Sequence, residues 1–168
     1  LKANYYLADI LFKEKEFNKA IAYYQNVLEE GQNEYSEDSL AKLAQIFLER
    51  DEFENAIQIL DRLELEAYST ENVLFAQSNL MKGYYETEAY DQAIAYAKKI
   101  LAKEKLNIQL ENDAKIIIAR ASFKTEDFYT AEEYYTEVER KATGELKAEA
   151  LFYNAFFKNQ KEEYLDSN

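Results

Sequence analysis

Five times along the chain an aromatic residue is followed three positions later by a small one: Phe17/Ala20, Phe53/Ala56, Tyr90/Ala93, Phe128/Ala131 and Tyr164/Ser167. The small residues stand 36, 37, 38 and 36 positions apart. Self-similarity at a period of this size marks stacked helix pairs, in which each unit buries its apolar face against its neighbours. Stacked hairpins present long surfaces and seldom enclose a catalytic pocket, so the spacing constrains function as well as fold.

Composition agrees with helices throughout. The 168 residues hold three glycines and no proline, which leaves almost nothing to break a helix or close a tight hairpin. At 48% hydrophobic and 32% charged, the chain is neither disordered nor membrane-spanning by composition. A net charge of −13 repels phosphate backbones and anionic lipid surfaces, so neither nucleic acid nor membrane-surface binding is expected, and no stretch approaches the roughly 18 consecutive apolar residues that direct membrane insertion needs. The acids read first as a solvated face that keeps a helical array soluble, and second as a surface that steers basic partners. With no cysteine and no histidine, thiolate nucleophiles, Cys/His zinc sites and histidine-dependent triads are excluded within this chain. The sequence starts at Leu1 and its only methionine is Met81, which reads as a piece of a longer protein.

The first unit shows how one repeat is made. Leu7, Ala8 and Leu11 share one helical face, and Ala20, Tyr24, Val27 and Leu28 share another. The polar stretch Lys13 to Glu16 breaks the two, and Phe17 anchors the second helix, giving a helix–turn–helix hairpin. The small residues permit two helices to cross at about 8–10 Å, where a bulky side chain would force the backbones apart. Phe128→Ala is expected to leave a cavity costing about 3–5 kcal/mol.

This pattern resembles the tetratricopeptide repeat. A large/small pair in the first helix falls at Leu7-Ala8, Leu43-Ala44, Leu80-Met81, Ile118-Ala119 and Asn154-Ala155, and the aromatic/small pairs occupy the second helix. Val27, Leu63, Ile100 and Val138 match a further apolar position. The family's closing proline is absent, and the period exceeds its 34 residues. The resemblance implies an all-α fold, a right-handed superhelix of stacked antiparallel hairpins. Residues 1–168 then form a single solenoid with units of about 1–35, 36–71, 72–109 and 110–145 and a truncated fifth unit at 146–168. Polar loops are expected at Gly31 to Ser36 and Lys103 to Asn107, helix caps at Ser36, Ser69 or Thr70, Asn107 and Thr143, and a last first-helix over roughly Glu145 to Asn159.

Within that resemblance the concave groove is lined by first helices. The inward positions are Tyr5, Asp9, Phe12 and Lys13, then Ala41, Gln45, Leu48 and Glu49, then Ser78, Lys82, Tyr85 and Glu86, then Ile116, Arg120, Phe123 and Lys124. The strongest partner-binding candidates among them are Tyr5, Asp9, Phe12, Gln45, Lys82, Tyr85, Arg120 and Phe123, because aromatics beside cations dominate interface energies. A peptide or partner protein is the implied ligand. The lysine/asparagine clamp of the chaperone-binding members is absent, since its places hold Tyr5, Asp9, Lys42, Phe75 and Asn79.

Adjacent carboxylates such as Glu29-Glu30 and Glu132-Glu133 point about 100° apart on a helix and cannot flank a substrate. No calcium loop or phosphate-cradling loop is present, so no catalytic residue, metal or cofactor is assigned. The leading expectation is a non-catalytic scaffold. The alternatives are end-to-end self-association through Leu151, Phe152 and Phe156, or a regulatory domain of a larger protein. In style the units are similar to tetratricopeptide proteins of the bacterial cell envelope, which implies its periplasmic side. The absence of cysteine suits the cytoplasm equally.

Overall fold

The computed structural model describes residues 1–166, and these contain nine α-helices and no strand. The chain forms two compact units, Leu1–Thr87 and Glu88–Asn168. The first holds α1 (Lys2–Lys13), α2 (Phe17–Glu29), α3 (Ser36–Glu49), α4 (Phe53–Glu66) and α5 (Thr70–Glu86). The second holds α6 (Tyr90–Leu101), α7 (Ile108–Lys124), α8 (Phe128–Lys141) and α9 (Gly144–Asp166). Within each unit every helix packs on the next one along the chain, the architecture of a helical-repeat solenoid.

The helices begin where the repeat register places them, with Phe17, Phe53, Tyr90 and Phe128 each the first residue of a second helix. Ala20, Ala56, Ala93 and Ala131 are all fully buried, as positions at a close helix crossing must be. A different close approach occurs at Gly83, where an added Cβ would lie 3.1 Å from the Ile57 side chain. A methyl group there would require the Ile57 side chain to give by a few tenths of an ångström.

The tight turns inside the hairpins share one device that composition conceals. Lys15, Asp51, Glu88 and Glu126 are left-handed, with φ of 58, 56, 60 and 62°, although none is glycine. The cost of that conformation for an L-residue is about 1–2 kcal/mol. Hydrogen bonds close the turns around three of them. Glu16, Glu52 and Asp127 donate backbone N–H groups to Leu11, Phe47 and Ser122, each at 2.9 Å. With the Lys15→Phe12, Asp51→Leu48 and Glu126→Phe123 bonds, this is the Schellman arrangement, which satisfies carbonyls left open at a helix end.

Both expected polar loops are present, between α2 and α3 and between α6 and α7. Ser69 and Asn107 cap their helices, accepting from Asn72 N–H at 3.2 Å and Leu110 N–H at 2.8 Å. Ser36 does not cap α3. It is the first helical residue, and its Oγ accepts instead from the Asn33 N–H at 2.9 Å.

The fifth unit departs from expectation. In the earlier units the left-handed residue lies two positions beyond the first helix, which by the same register falls on Glu162. Instead α9 runs unbroken from Gly144 to Asp166, past Asn159. Gln160, Lys161, Glu162 and Glu163 are all good helix formers, and Lys161 is anchored to Glu132 of α8 at 2.7 Å. Ser167, the small member of the fifth pair, lies outside the described residues.

Two further packing expectations change. Phe128 is 46% exposed, so it does not fill a closed cavity, and its removal costs well below the 3–5 kcal/mol expected for a buried ring. Asn154, polar where the repeat is apolar, donates to Glu139 Oε2 at 2.6 Å across α8 and α9.

Candidate functional site

The first helices carry the candidate surface, and their side chains differ in burial from one junction to the next. At the α1–α3 junction the residues are linked. Tyr5 stacks on Tyr35 with ring centroids 4.5 Å apart and donates its hydroxyl to Asp38 Oδ2 at 2.6 Å. Asp9 binds the Lys42 ammonium and, at 2.7 Å, that of Lys13. Lys42 also reaches Asp38 at 3.2 Å and lies 5.9 Å from the Phe12 ring centroid. Four charged side chains and three aromatic rings thus form one network around Lys42.

The electrostatics follow from this geometry. Burial pushes the Asp9 carboxyl up, but the hydrogen bonds from Lys13 and Lys42 outweigh it and hold the group below the usual carboxylate range. Burial likewise opposes the charge on Lys42, yet Asp9 and Asp38 keep it raised. Burial and the Asp38 hydrogen bond push the Tyr5 phenol far above its ordinary value, so it stays a neutral donor. Beneath the network lies Tyr24, fully buried, whose hydroxyl has no hydrogen-bond partner.

A second linked junction joins α7 and α9. Arg120 grips Glu149 through two hydrogen bonds of 2.7 and 2.5 Å. Phe123 meets Phe128, Tyr153, Phe156 and Phe157 at centroid distances of 4.8 to 6.0 Å. Both residues therefore contribute to packing within the second unit.

Between α3 and α5 the picture differs. Gln45 and Glu49 on α3, and Lys82 and Glu86 on α5, are exposed, while Leu48 and Tyr85 are half-buried between them. Gln45 donates to Glu49 at 3.2 Å within its own helix. Counted from Ala44 and Met81, the residues fall at matching positions: Gln45 with Lys82, Leu48 with Tyr85, Glu49 with Glu86. Two adjacent first helices thus carry a ladder of equivalent side chains, polar at the ends and apolar in the middle.

Lys42, Asp38 and Glu149 are the residues that the groove positions missed. Their signal was present in the sequence, because Asp38 and Lys42 stand four apart on one face of a helix. Among the described residues no cluster of three or more acidic side chains could hold a metal ion, and no helix is long and apolar enough to cross a membrane.

A family model described as the TT21 fifth ARM repeats domain matches residues 2–107, well over half of the chain. No curated protein matches it.

Proposed function

We propose that this chain, which belongs to the family of the TT21 fifth ARM repeats domain, is a non-catalytic scaffold that binds a peptide or partner protein on its first-helix face. The observation that carries the proposal is the ladder on α3 and α5, where Gln45/Lys82, Leu48/Tyr85 and Glu49/Glu86 repeat at equivalent positions. An extended peptide has its own regular spacing. It can set apolar side chains against Leu48 and Tyr85 while its polar groups meet the flanking amide, ammonium and carboxylates. Tyr5, Asp9, Phe12, Arg120 and Phe123 then serve mainly to fix the spacing of the first helices, with Gln45, Lys82 and Tyr85 making contact.

Burial of the four alanines at the crossings supports the finer likeness to tetratricopeptide units, and a single solenoid over residues 1–168 belongs to the same proposal. An envelope location forms no part of it.

Selection from a displayed peptide library tests the proposal. Selected peptides should bind the parent protein and lose affinity by about tenfold or more for a Gln45→Glu/Lys82→Glu variant, a loss typical of a contact residue at an interface centre. Equal binding to both proteins, with unchanged circular dichroism, would refute it.

A second reading has its own observation. Leu151, Phe152 and Phe156 on α9 are 47, 67 and 37% exposed, an apolar stripe suited to self-association. A monomer in light scattering at high concentration would end that reading.

A further inference from the structure

Between α8 and α9 in the second unit lies an open cleft of about 470 Å³, walled by Phe128, Tyr129, Phe156 and Phe157 and rimmed by Glu132 and Lys161. Aromatic residues are abundant in this chain and most serve the repeat core, so repeat register decides which of these need another explanation.

Tyr129 directly follows the repeat aromatic. At that position the earlier units carry Asn18, Glu54 and Asp91, all exposed and all polar, as the first turn of a helix favours. Tyr129 is 82% exposed there and gains nothing from hairpin packing. Glu132 follows the buried alanine, where the earlier units carry Ile21, Ile57 and Ile94, each half-buried. The fourth unit therefore exchanges a polar residue for an aromatic one and an isoleucine for an acid, and both exchanges face the same cleft.

Tyr129 and Glu132 also border an adjoining depression with Glu133, Glu137 and Arg140; Lys161 holds Glu132 and Lys115 holds Glu137, each at 2.7 Å, and Glu133 is exposed. The surface is thus apolar at one end and presents the exposed carboxylate of Glu133 at the other. Phe128 and Glu133 are five residues apart on α8, about 7–8 Å along the axis. We propose that this cleft docks a cationic amphipathic helix. Its bulky aliphatic residue would sit against Phe128, Tyr129 and Phe156, and a lysine or arginine about five residues along would meet Glu133. The net charge of −13 favours approach of such a partner and opposes a second copy of this chain as the occupant. The inference does not rest on the α3–α5 reading, since it concerns the other unit.

The test is a fluorescence anisotropy titration of the full chain with a short labelled leucine/lysine helical peptide at physiological ionic strength. A leucine/glutamate peptide serves as its counterpart. The lysine peptide should bind, and Tyr129→Asn, which restores the residue type of the first unit, should weaken it about tenfold. Glu133→Lys should weaken it as well. Tyr68→Asn, at an equally exposed tyrosine of the first unit, should leave the affinity unchanged. No binding, equal binding of both peptides, or equal effects of the two tyrosine variants would overturn the proposal. So would a dimer of the parent that Tyr129→Asn abolishes, which would assign the cleft to a second copy.

Discussion

Each unit of the molecule sets a fully buried tyrosine beneath a charged link between first helices, yet the two are wired in opposite senses. In the first, Asp9 on the earlier helix meets Lys42 on the later one, and Tyr24 lies beneath with its hydroxyl unpartnered. In the second, the cation is Arg120 on the earlier helix and the acid is Glu149 on the later one. There the Tyr135 hydroxyl reaches Glu149 at 3.4 Å. Both tyrosines stand four residues after the buried alanine of their second helix, at Ala20 and Ala131, where the other units carry Leu60 and Ala97. The polarity of the link is interchangeable, whereas the link itself recurs. That recurrence supports the proposal that the link is structural and that ligand contacts lie on the α3–α5 ladder.

The strongest way to break the comparison is to remove a ring. Tyr135 is fully buried and stacked on Tyr153 at 4.5 Å, so Tyr135→Ala should cost about 3–5 kcal/mol in urea unfolding. Phe128→Ala, at a ring 46% exposed, should cost clearly less. Equal losses would mean that Phe128 is buried in solution.

Removing the cations should rank next. Lys42→Met leaves Asp9 and Asp38 with only Lys13, on Asp9, as counter-charge, whereas Arg120→Met exposes only Glu149. Partly buried carboxylates stripped of a partner cost about 1–3 kcal/mol, and the Lys42 change should be the larger. The reverse order would show that the first network is not centred on Lys42.

Deleting the hydroxyls alone sharpens the difference. Tyr135→Phe gives up a long hydrogen bond and should cost about 0.5–1 kcal/mol, while Tyr24→Phe should be neutral or stabilising.

The smallest expected effect is acid sensitivity. In the second unit Lys115 and Lys141 pull the Glu111 carboxyl down to about 2 from its ordinary 4.5. A lowered carboxylate adds stability that is complete above 4.5 and disappears as pH falls toward 2. Glu111→Gln should therefore flatten the loss of melting temperature between pH 5 and pH 2.5, a range of roughly that width. An unchanged acid profile would remove Glu111 from the acid response.

Much of the fold was legible because helix packing writes itself into period. Ala20, Ala56, Ala93 and Ala131 had to be small for the crossings to close, and all four are buried. The first hairpin turn was legible in place, between Lys13 and Phe17, but its backbone was not, because left-handed residues such as Lys15 and Asp51 carry no glycine signal and are held by backbone bonds. The unbroken α9 was equally hidden, since Gln160 to Glu163 suit a helix as well as a polar turn. Of the surface, sequence register located the first-helix side chains but could not tell which of them bridge to a neighbouring first helix. That distinction depends on a neighbour some 30 residues away, such as Lys42 for Asp9.

The central claim is that the α3–α5 ladder, rather than the linked junctions, takes the ligand. Hydrogen–deuterium exchange of the full chain with and without a library-selected peptide tests it most directly. Added protection should concentrate in α3 (Ser36–Glu49) and α5 (Thr70–Glu86). Protection confined to α1, or to α7 and α9, would contradict the account.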